Sequence, residues 1–250
     1  MRYGLTPYLK IRHYFANQHI FKAAEGASRL HIHRLAAYAI TYNVPFQFHA
    51  IVFGKWEDID PASLHLQESE VLVANCMIHL RHHADESVDC NLTFSPPQKL
   101  LMSMRSLSPN LLLTAEVNAA GNSPFFVSRF REVLYFYSNL MDMHDAVCHD
   151  DLDSFITTSY AHQILNIVAC EGAERVKRPE TYKQWDARIK RAGFELLPIP
   201  SLLMSRLRFY VKQHYHKDFI VHDDGDGWLL LGWKGRTMLN MVGWKPCLTK

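Results

Sequence analysis

Three observations predict an α/β fold with a mainly parallel sheet, helices on both faces and an antiparallel hairpin at the C-terminal edge. Short β-branched runs alternate with stretches of helical periodicity along the chain. The run Leu111–Val117 is apolar but for Thr114 and Glu116, as a strand largely is when helices cover both faces of its sheet. After Gly193 the pattern changes to short strands separated by Asp-Asp-Gly-Asp-Gly (223–227) and Lys234-Gly235, which are turn signals.

Taken in order, Thr6-Pro7 reads as an N-cap with proline in the first turn, predicting a helix to Ala24 that Gly26 stops. Residues 29–32 suit a short strand and 33–42 a helix, and the β-branched runs Val44–Val52 and Val71–Asn75 suit strands. After Leu111–Val117, the loop Asn118–Asn122 leads to Ser123-Pro124, a second cap-and-proline start. The following helix places Phe126, Phe130, Val133, Leu134, Tyr137, Leu140 and Met141 at spacings of three and four, which predicts one wide buried face. A further helix falls near 155–168. Another begins at Pro179, carries Tyr182, Trp185, Ile189 and Ala192 on one stripe, and ends at Gly193. Strands are expected at 219–221, 228–231 and 237–242. Short connections favour a single domain.

The 250 residues are 48% hydrophobic and 21% charged, which excludes a disordered chain and predicts a sizeable core. With 27 basic and 25 acidic residues, the net charge of +2 is too weak to announce a nucleic-acid or membrane partner, so such a partner needs a local patch. No apolar run reaches the ~18 residues that span a bilayer. Cys76, Cys90, Cys148, Cys170 and Cys247 are dispersed, with no CxxC pair, which reads as reduced, mostly buried thiols inside a cell.

Four constellations bear on chemistry. His79 and His83 would share a helix face, with His82, Asp85 and Glu86 nearby, so a zinc site is geometrically open. The residues between them are Leu80, Arg81 and His82, without the Glu that a metalloprotease helix needs. A cation beside the ligands opposes a metal, and the reading is a solvated polar segment, with no metal. Asp223–Gly227 resembles a calcium loop, but the twelfth position holds Lys234 instead of Glu, so it is a hairpin turn. Asn75, Glu116, Asn118 and Asn122 lie at strand ends, where open α/β sheets bind ligands. No glycine-rich loop follows the first candidate strand to cradle a phosphate or a cofactor, so no cofactor is expected. Asn118–Ser123 then turn the chain and cap a helix. Finally, residues 174–191 hold seven basic side chains against three acidic ones. Lys183, Arg188, Lys190 and Arg191 stand off the apolar stripe, where they can contact phosphate or simply face water.

Three stretches resemble the plant GRAS family, in particular its scarecrow-like members. They are Phe-Arg-Glu-Val-Leu-Tyr-Phe-Tyr-Ser (130–138), Ile-Val-Ala-Cys-Glu-Gly-Ala-Glu-Arg-Val (167–176) and Arg-Pro-Glu-Thr-Tyr-Lys-Gln-Trp (178–185). The spaced pairs of the family's SAW motif match Arg175 with Glu180, Trp185 with Gly193, and Trp233 with Trp244. Its PFYRE motif matches Pro124 and Phe136-Tyr137, with His162-Gln163 where that motif has Arg-Glu. Asn43-Val-Pro-Phe46 resembles the second leucine-rich region, and Leu30-His-Ile32 resembles a remnant of the VHIID motif.

The resemblance divides residues 1–250 into an N-terminal helix (1–28), a remnant of the VHIID and second leucine-rich regions (29–109), a PFYRE region (110–170) and a SAW region (171–250). It implies a Rossmann-like, methyltransferase-like core truncated at its N-terminal side, with an internal deletion after Ile32. It also implies a nuclear transcriptional regulator without catalysis, whose partners are other GRAS proteins or transcription factors, with weak DNA contact at most and no membrane. The SAW tryptophans then serve the core first and an interface second, and Arg175 and Glu180 can pair at the start of the helix after Pro179. The competing readings are a methyltransferase-like enzyme acting on a small molecule and a degenerate truncated product.

Overall fold

The computed structural model describes residues 11–16, 25–44, 46–51, 71–82, 94–147 and 154–247. The chain forms two compact units, Met1–Glu68 and Ser69–Lys250.

The first unit holds β1 (Ile11–Ala16), α1 (Glu25–Thr41) and β2 (Phe46–Ile51). The two strands pair in parallel, Ile11 opposite Phe46 and Ala16 opposite Ile51. Parallel neighbours need a long crossover, and α1 supplies it. Two expectations fail here. Residues 11–16 form a strand, where a helix was expected from the Thr6-Pro7 signal; pairing with β2 overrides the local cap pattern. Residues 29–32 lie inside α1, because a short apolar run does not distinguish strand from helix by periodicity. Gly26, expected to stop a helix, sits in the first turn of one. Residues 1–10 and 17–24 fall outside the described residues. At the other end of α1, Asn43 adopts φ 53°. The Asn43 and Val44 amides donate to the Ile40 and Ala39 carbonyls at 3.0 and 2.9 Å, the bonds of a Schellman ending.

The second unit runs β3 (Val73–Met77), α2 (Pro96–Ser106), β4 (Leu111–Val117), α3 (Phe126–Val147), α4 (Ser154–Ala169), α5 (Tyr182–Arg191), β5 (Phe194–Leu197), α6 (Ser201–His214), β6 (Phe219–Asp223), β7 (Leu229–Trp233) and β8 (Arg236–Pro246). Its sheet has the order β3-β4-β8-β7-β6, with β5 also on β8. The fold is α/β as expected, but parallel pairing among the described strands is confined to β1/β2 and β3/β4. β4 meets β8 antiparallel, and so do β5 and β7, so the expected C-terminal hairpin extends to four strands. The long strand β8 is the hinge of this arrangement: it pairs with β4 on one edge and with β7 and β5 along the other. Sequence reading did not place α2, β5 or α6, although Ser95-Pro96-Pro97 carries the same cap-and-proline signal read elsewhere.

Side chains alternate along β4 and β8, so each sheet face has its own core. On one face Val117, Trp233 and Met238 pack against Val133, Phe136 and Tyr137 of α3 and Ile167 of α4. On the other, Trp244 donates from Nε1 to Thr114 Oγ1 at 2.9 Å and meets Trp228 edge-on, with ring centroids 5.5 Å apart. Trp228 in turn meets Tyr182 of α5. Four tryptophans, Trp185, Trp228, Trp233 and Trp244, are 2% exposed or less, and each stabilises the fold by ~3 kcal/mol or more.

The buried face of α3 meets the expected one at Val133, Tyr137 and Leu140 and departs from it elsewhere. Arg129, Val133, Phe136 and Tyr137 point inward, while Phe126, Phe130 and Leu134 are 55%, 46% and 52% exposed. The guanidinium of Arg129 sets this rotation. It donates to the carbonyls of Ser123 and Val168 at 3.0 and 3.5 Å and to the carboxylate of Glu171, holding the start of α3 against the end of α4. Among the described residues, no helix is long and apolar enough to cross a membrane.

Candidate functional site

Phe136, Tyr137 and Trp233 lie in the core under α3, and Trp244 packs on Thr114 and Trp228. The motif stretch around Arg175, Glu180 and Trp185 lies instead where the 118–122 loop after β4, the 171–181 segment and α5 meet. Gly121 lets the first two approach: a Cβ there would stand 2.6 Å from Pro179 Cγ and 3.3 Å from Ile167 Cγ2. That approach brings Asn122 between two charged groups. Its Nδ2 donates to Glu180 Oε1 at 2.9 Å and its Oδ1 accepts from Arg178 Nη1 at 3.1 Å. Arg178, 2% exposed, also donates from Nη2 to the Gly172 carbonyl at 2.8 Å and from Nε to the Arg175 carbonyl at 3.1 Å. The 171–181 segment has little regular structure, and one buried guanidinium serves its backbone carbonyls instead.

Helix α5 is tied to the same place at its first turn. Gln184 Oε1 accepts from the Thr181 amide at 2.9 Å, and Asn118 Oδ1 accepts from the Tyr182 amide at 3.0 Å. These bonds satisfy amides that the helix cannot pair internally. Asn118 therefore caps α5 across the sheet edge, where the sequence suggested only the helix that follows it. At the other end Gly193, φ 89°, terminates α5, and its carbonyl accepts from Arg105 Nε at 3.0 Å.

The expected pairing of Arg175 with Glu180 is replaced. Glu180, almost fully buried, takes Arg188 instead, with Nε to Oε2 at 2.7 Å and Nη2 to Oε1 at 2.9 Å. Eight residues along, Arg188 returns over the first turn of its own helix, while Arg175 lies buried beneath the segment. Two of the four candidate nucleic-acid contacts already hold acidic partners. Arg188 is engaged with Glu180 and its guanidinium lies 5.9 Å from the Trp185 ring; Lys190 binds Asp186 at 2.7 Å. Of the four candidate contacts, Lys183 and Arg191 are the exposed cations without an ion pair among the described residues.

The strand-end residues do not gather into one cleft. Asn75 is exposed, Asn118 and Asn122 bind as above, and Glu116 is buried. Glu116 Oε1 accepts from the Leu80 amide at 2.7 Å, which anchors the short helical turn Leu80–His82. Burial pushes its carboxyl up to about 7, against the lowering by that amide and by Arg81. Burial also pushes the Cys76 thiol up and holds His79 below the ordinary histidine value, with Arg81 and Lys177 adding to the latter shift. Lys177 Nζ donates to His82 Nε2 at 3.0 Å, placing an ammonium beside the segment where a zinc site was considered. His83, Asp85 and Glu86 fall outside the described residues, as do Cys90 and Cys148. In the 223–227 turn the carboxylates bind backbone: Asp224 Oδ1 accepts from the Asp226 and Trp228 amides at 3.0 and 3.1 Å.

Two further ties escaped sequence reasoning. Asp142 of α3 accepts from Trp233 Nε1 at 2.5 Å and from Lys234 Nζ at 2.9 Å, which fixes the β7–β8 turn to the helix. Arg129 and Glu171 form the other. Neither pair has a local spacing that could have signalled it.

This is a junction made by motif residues, and the motifs belong to one family: residues 33–245 match the model of the GRAS domain family. The chain belongs to the GRAS domain family. It is 42% identical over 248 residues to Scarecrow-like protein 14 of Arabidopsis thaliana, covering 98% of this chain and 32% of that protein. Scarecrow-like protein 11 of Arabidopsis thaliana is 40% identical over 219 residues, covering 85% of this chain and 35% of the relative. DELLA protein GAIP of Cucurbita maxima is 28% identical over 297 residues, 98% of this chain and 50% of that one. This GRAS chain thus spans about a third of the length of the scarecrow-like relatives. The crystal structure of SCL7 from Oryza sativa shares the fold, with a TM-score of 0.80 and 21% identity, covering 95% of this chain and 65% of that one.

The GRAS alignments bear on the expected deletion. Against Scarecrow-like protein 14 the alignment runs over 248 residues and takes in 98% of this chain, so that relative has no long stretch here that this chain lacks. Leu30-His-Ile32, taken as a VHIID remnant, is part of the helix that joins two parallel strands. Among the SAW and PFYRE residues, Trp185, Trp233, Trp244, Phe136, Tyr137, Arg175 and Glu180 are buried, and Pro124 is exposed before α3.

Proposed function

We propose that this GRAS chain serves a nuclear transcriptional regulator as a protein-binding module and performs no catalysis. One observation carries the reading. The polar groups at the strand ends, where an enzyme of this architecture would keep its chemistry, act on the fold itself. Glu116 holds the Leu80 turn, Asn118 caps α5, and Asn122 and Glu180 join two arginines. The scarecrow-like and DELLA relatives support the regulatory role, and other GRAS proteins or transcription factors are the natural partners. DNA contact is weak and non-specific, since two of the four candidate cations already hold acidic partners.

The test has two arms. Tethered to a heterologous DNA-binding domain in plant cells, a fluorescent fusion of the chain is expected in the nucleus and changes the output of a reporter. Calorimetry with S-adenosylmethionine is expected to show no heat of binding. A saturable one-to-one interaction in the micromolar range would replace this reading with a methyltransferase-like enzyme. A tethered chain that folds and enters the nucleus yet leaves the reporter unchanged would remove the regulatory role.

A further inference from the structure

Helix α6 is apolar on two sides. Met204 is its buried residue, facing the sheet. Leu202, Leu203, Phe209 and Tyr210 are 64%, 47%, 67% and 54% exposed. Their spacing puts them on one outward stripe, with Arg206 between the leucines and the aromatic pair. Ser205, Arg206, Leu207, Phe209 and Tyr210 line a shallow groove of about 460 Å³. Tyr210 is held in place by its neighbours: its ring lies 4.5 Å from that of His214 and 6.2 Å from that of Tyr215.

Charge on this helix has one sign. Ser201–His214 contains Arg206, Arg208, Lys212 and His214 and no carboxylate. Asp223 binds Arg208 at 3.0 Å, whereas Arg206 and Lys212 are exposed and have no ion pair among the described residues. An apolar groove flanked by exposed cations complements a segment whose apolar anchors are bordered by carboxylates.

Building on the binding-module reading, we infer that the outward face of α6 docks an acidic amphipathic helix of a partner protein. Phe209 and Tyr210 take its apolar anchors, and Arg206 and Lys212 meet its carboxylates. Leu202 and Leu203 extend the stripe past the Phe209/Tyr210 pair with surface on which bases cannot stack, and two exposed cations give a small footprint for phosphates, so the face suits a peptide better than a nucleic acid.

The probe is a labelled synthetic helix of about 20 residues, with Leu and Phe at i, i+3, i+4 and i+7 and Glu on the flanks. Fluorescence anisotropy compares it with the same peptide carrying Lys for Glu, with duplex DNA, and with vesicles of phosphatidylcholine and phosphatidylserine. The acidic peptide is expected to bind the full chain tightest of the four. F209S/Y210S weakens it by about 10-fold or more, as loss of central aromatic anchors does. R206E/K212E reverses the preference toward the Lys peptide. All four residues are exposed, so both variants should melt with the parent, and the charge reversal is a gain that misfolding cannot mimic. Equal binding of the two peptides, unchanged affinity in F209S/Y210S, or tighter binding of DNA or vesicles each overturns the inference. Should the acidic peptide fail to bind while the tethered chain still drives the reporter, the docking face falls and the regulatory role stands. A silent reporter with intact peptide binding is the opposite result.

Discussion

Glu180, just ahead of α5, and Arg188, inside it, bind each other through two charge-assisted hydrogen bonds, at 2.7 and 2.9 Å. Their side chains are 4% and 15% exposed, so the pair sits in a medium where a lone carboxylate is costly. Arg188→Ala is expected to destabilise the chain by ~3–5 kcal/mol, because it leaves Glu180 with Asn122 as its remaining neutral donor. Glu180→Leu with Arg188→Met should recover most of that loss, since both desolvation costs vanish together. Urea melts of the parent, Glu180→Leu, Arg188→Met and the double variant form the cycle. Additive losses would show that the two side chains act independently.

The buried indole beside that pair gives the second prediction. Trp185 is 2% exposed and shares the inward stripe of α5 with Ile189. Trp185→Ala empties a large volume that rigid neighbours cannot refill, and the expected cost is ~3–5 kcal/mol. A denaturation midpoint equal to the parent's would place Trp185 at the surface.

A third prediction follows from Glu116. Its carboxyl is raised from the ordinary 4.5 to about 7, with burial as the main cause. Between those values the folded chain holds the proton more tightly than the unfolded chain does. The contribution of Glu116 to stability therefore falls as pH rises through that window, by up to ~3 kcal/mol in total. Glu116→Gln keeps an oxygen for the Leu80 amide and carries no charge. Relative to the parent, this variant should gain melting temperature at pH 8 and lose that advantage at pH 5. Parallel melting curves at the two pH values would mean that the buried carboxyl titrates normally.

How far the sequence discloses this structure depends on how far apart the interacting residues lie. Leu111–Val117 was legible to the residue because a doubly covered strand is mostly apolar, here at five of its seven positions. Strands β6, β7 and β8 were legible from their turns, with Lys234 and Gly235 both at positive φ as the hairpin requires, whereas β5 was not. The inward face of α3 was legible only in part, at Val133, Tyr137 and Leu140. Phe126, Phe130 and Leu134 have the helical spacing of a core, but Arg129 turns the helix through bonds to Glu171 and the Val168 carbonyl, about forty residues away. Strand β1 was hidden for the same reason, since its partner lies across a helix. At the junction, Asn118 and Asn122 were flagged by position and Glu180 by motif. Their partners, the Tyr182 amide, Arg178 and Arg188, were set by how the loop packs under Pro179.

The last prediction concerns DNA, and the structure changes how it must be tested. Lys183, Arg188, Lys190 and Arg191 cannot be reversed together, because Arg188→Glu would face Glu180 inside the fold and unfold the chain. Lys183 and Arg191 are the pair to change. Lys183 lies 6.0 Å from the Tyr182 ring centroid and keeps its ammonium in water, and Arg191 is exposed in the last turn of α5. Two phosphate contacts release few counterions, so the logarithm of the affinity for duplex DNA should fall with the logarithm of salt at a slope no steeper than ~1.8. K183E/R191E should abolish that binding and leave the melting temperature unchanged, since neither side chain has an ion pair among the described residues. A slope near 4, or binding that survives the double reversal, would place the nucleic-acid surface elsewhere on the chain. If the parent shows no binding even at low salt, α5 faces only water, and these cations belong to the solvated surface.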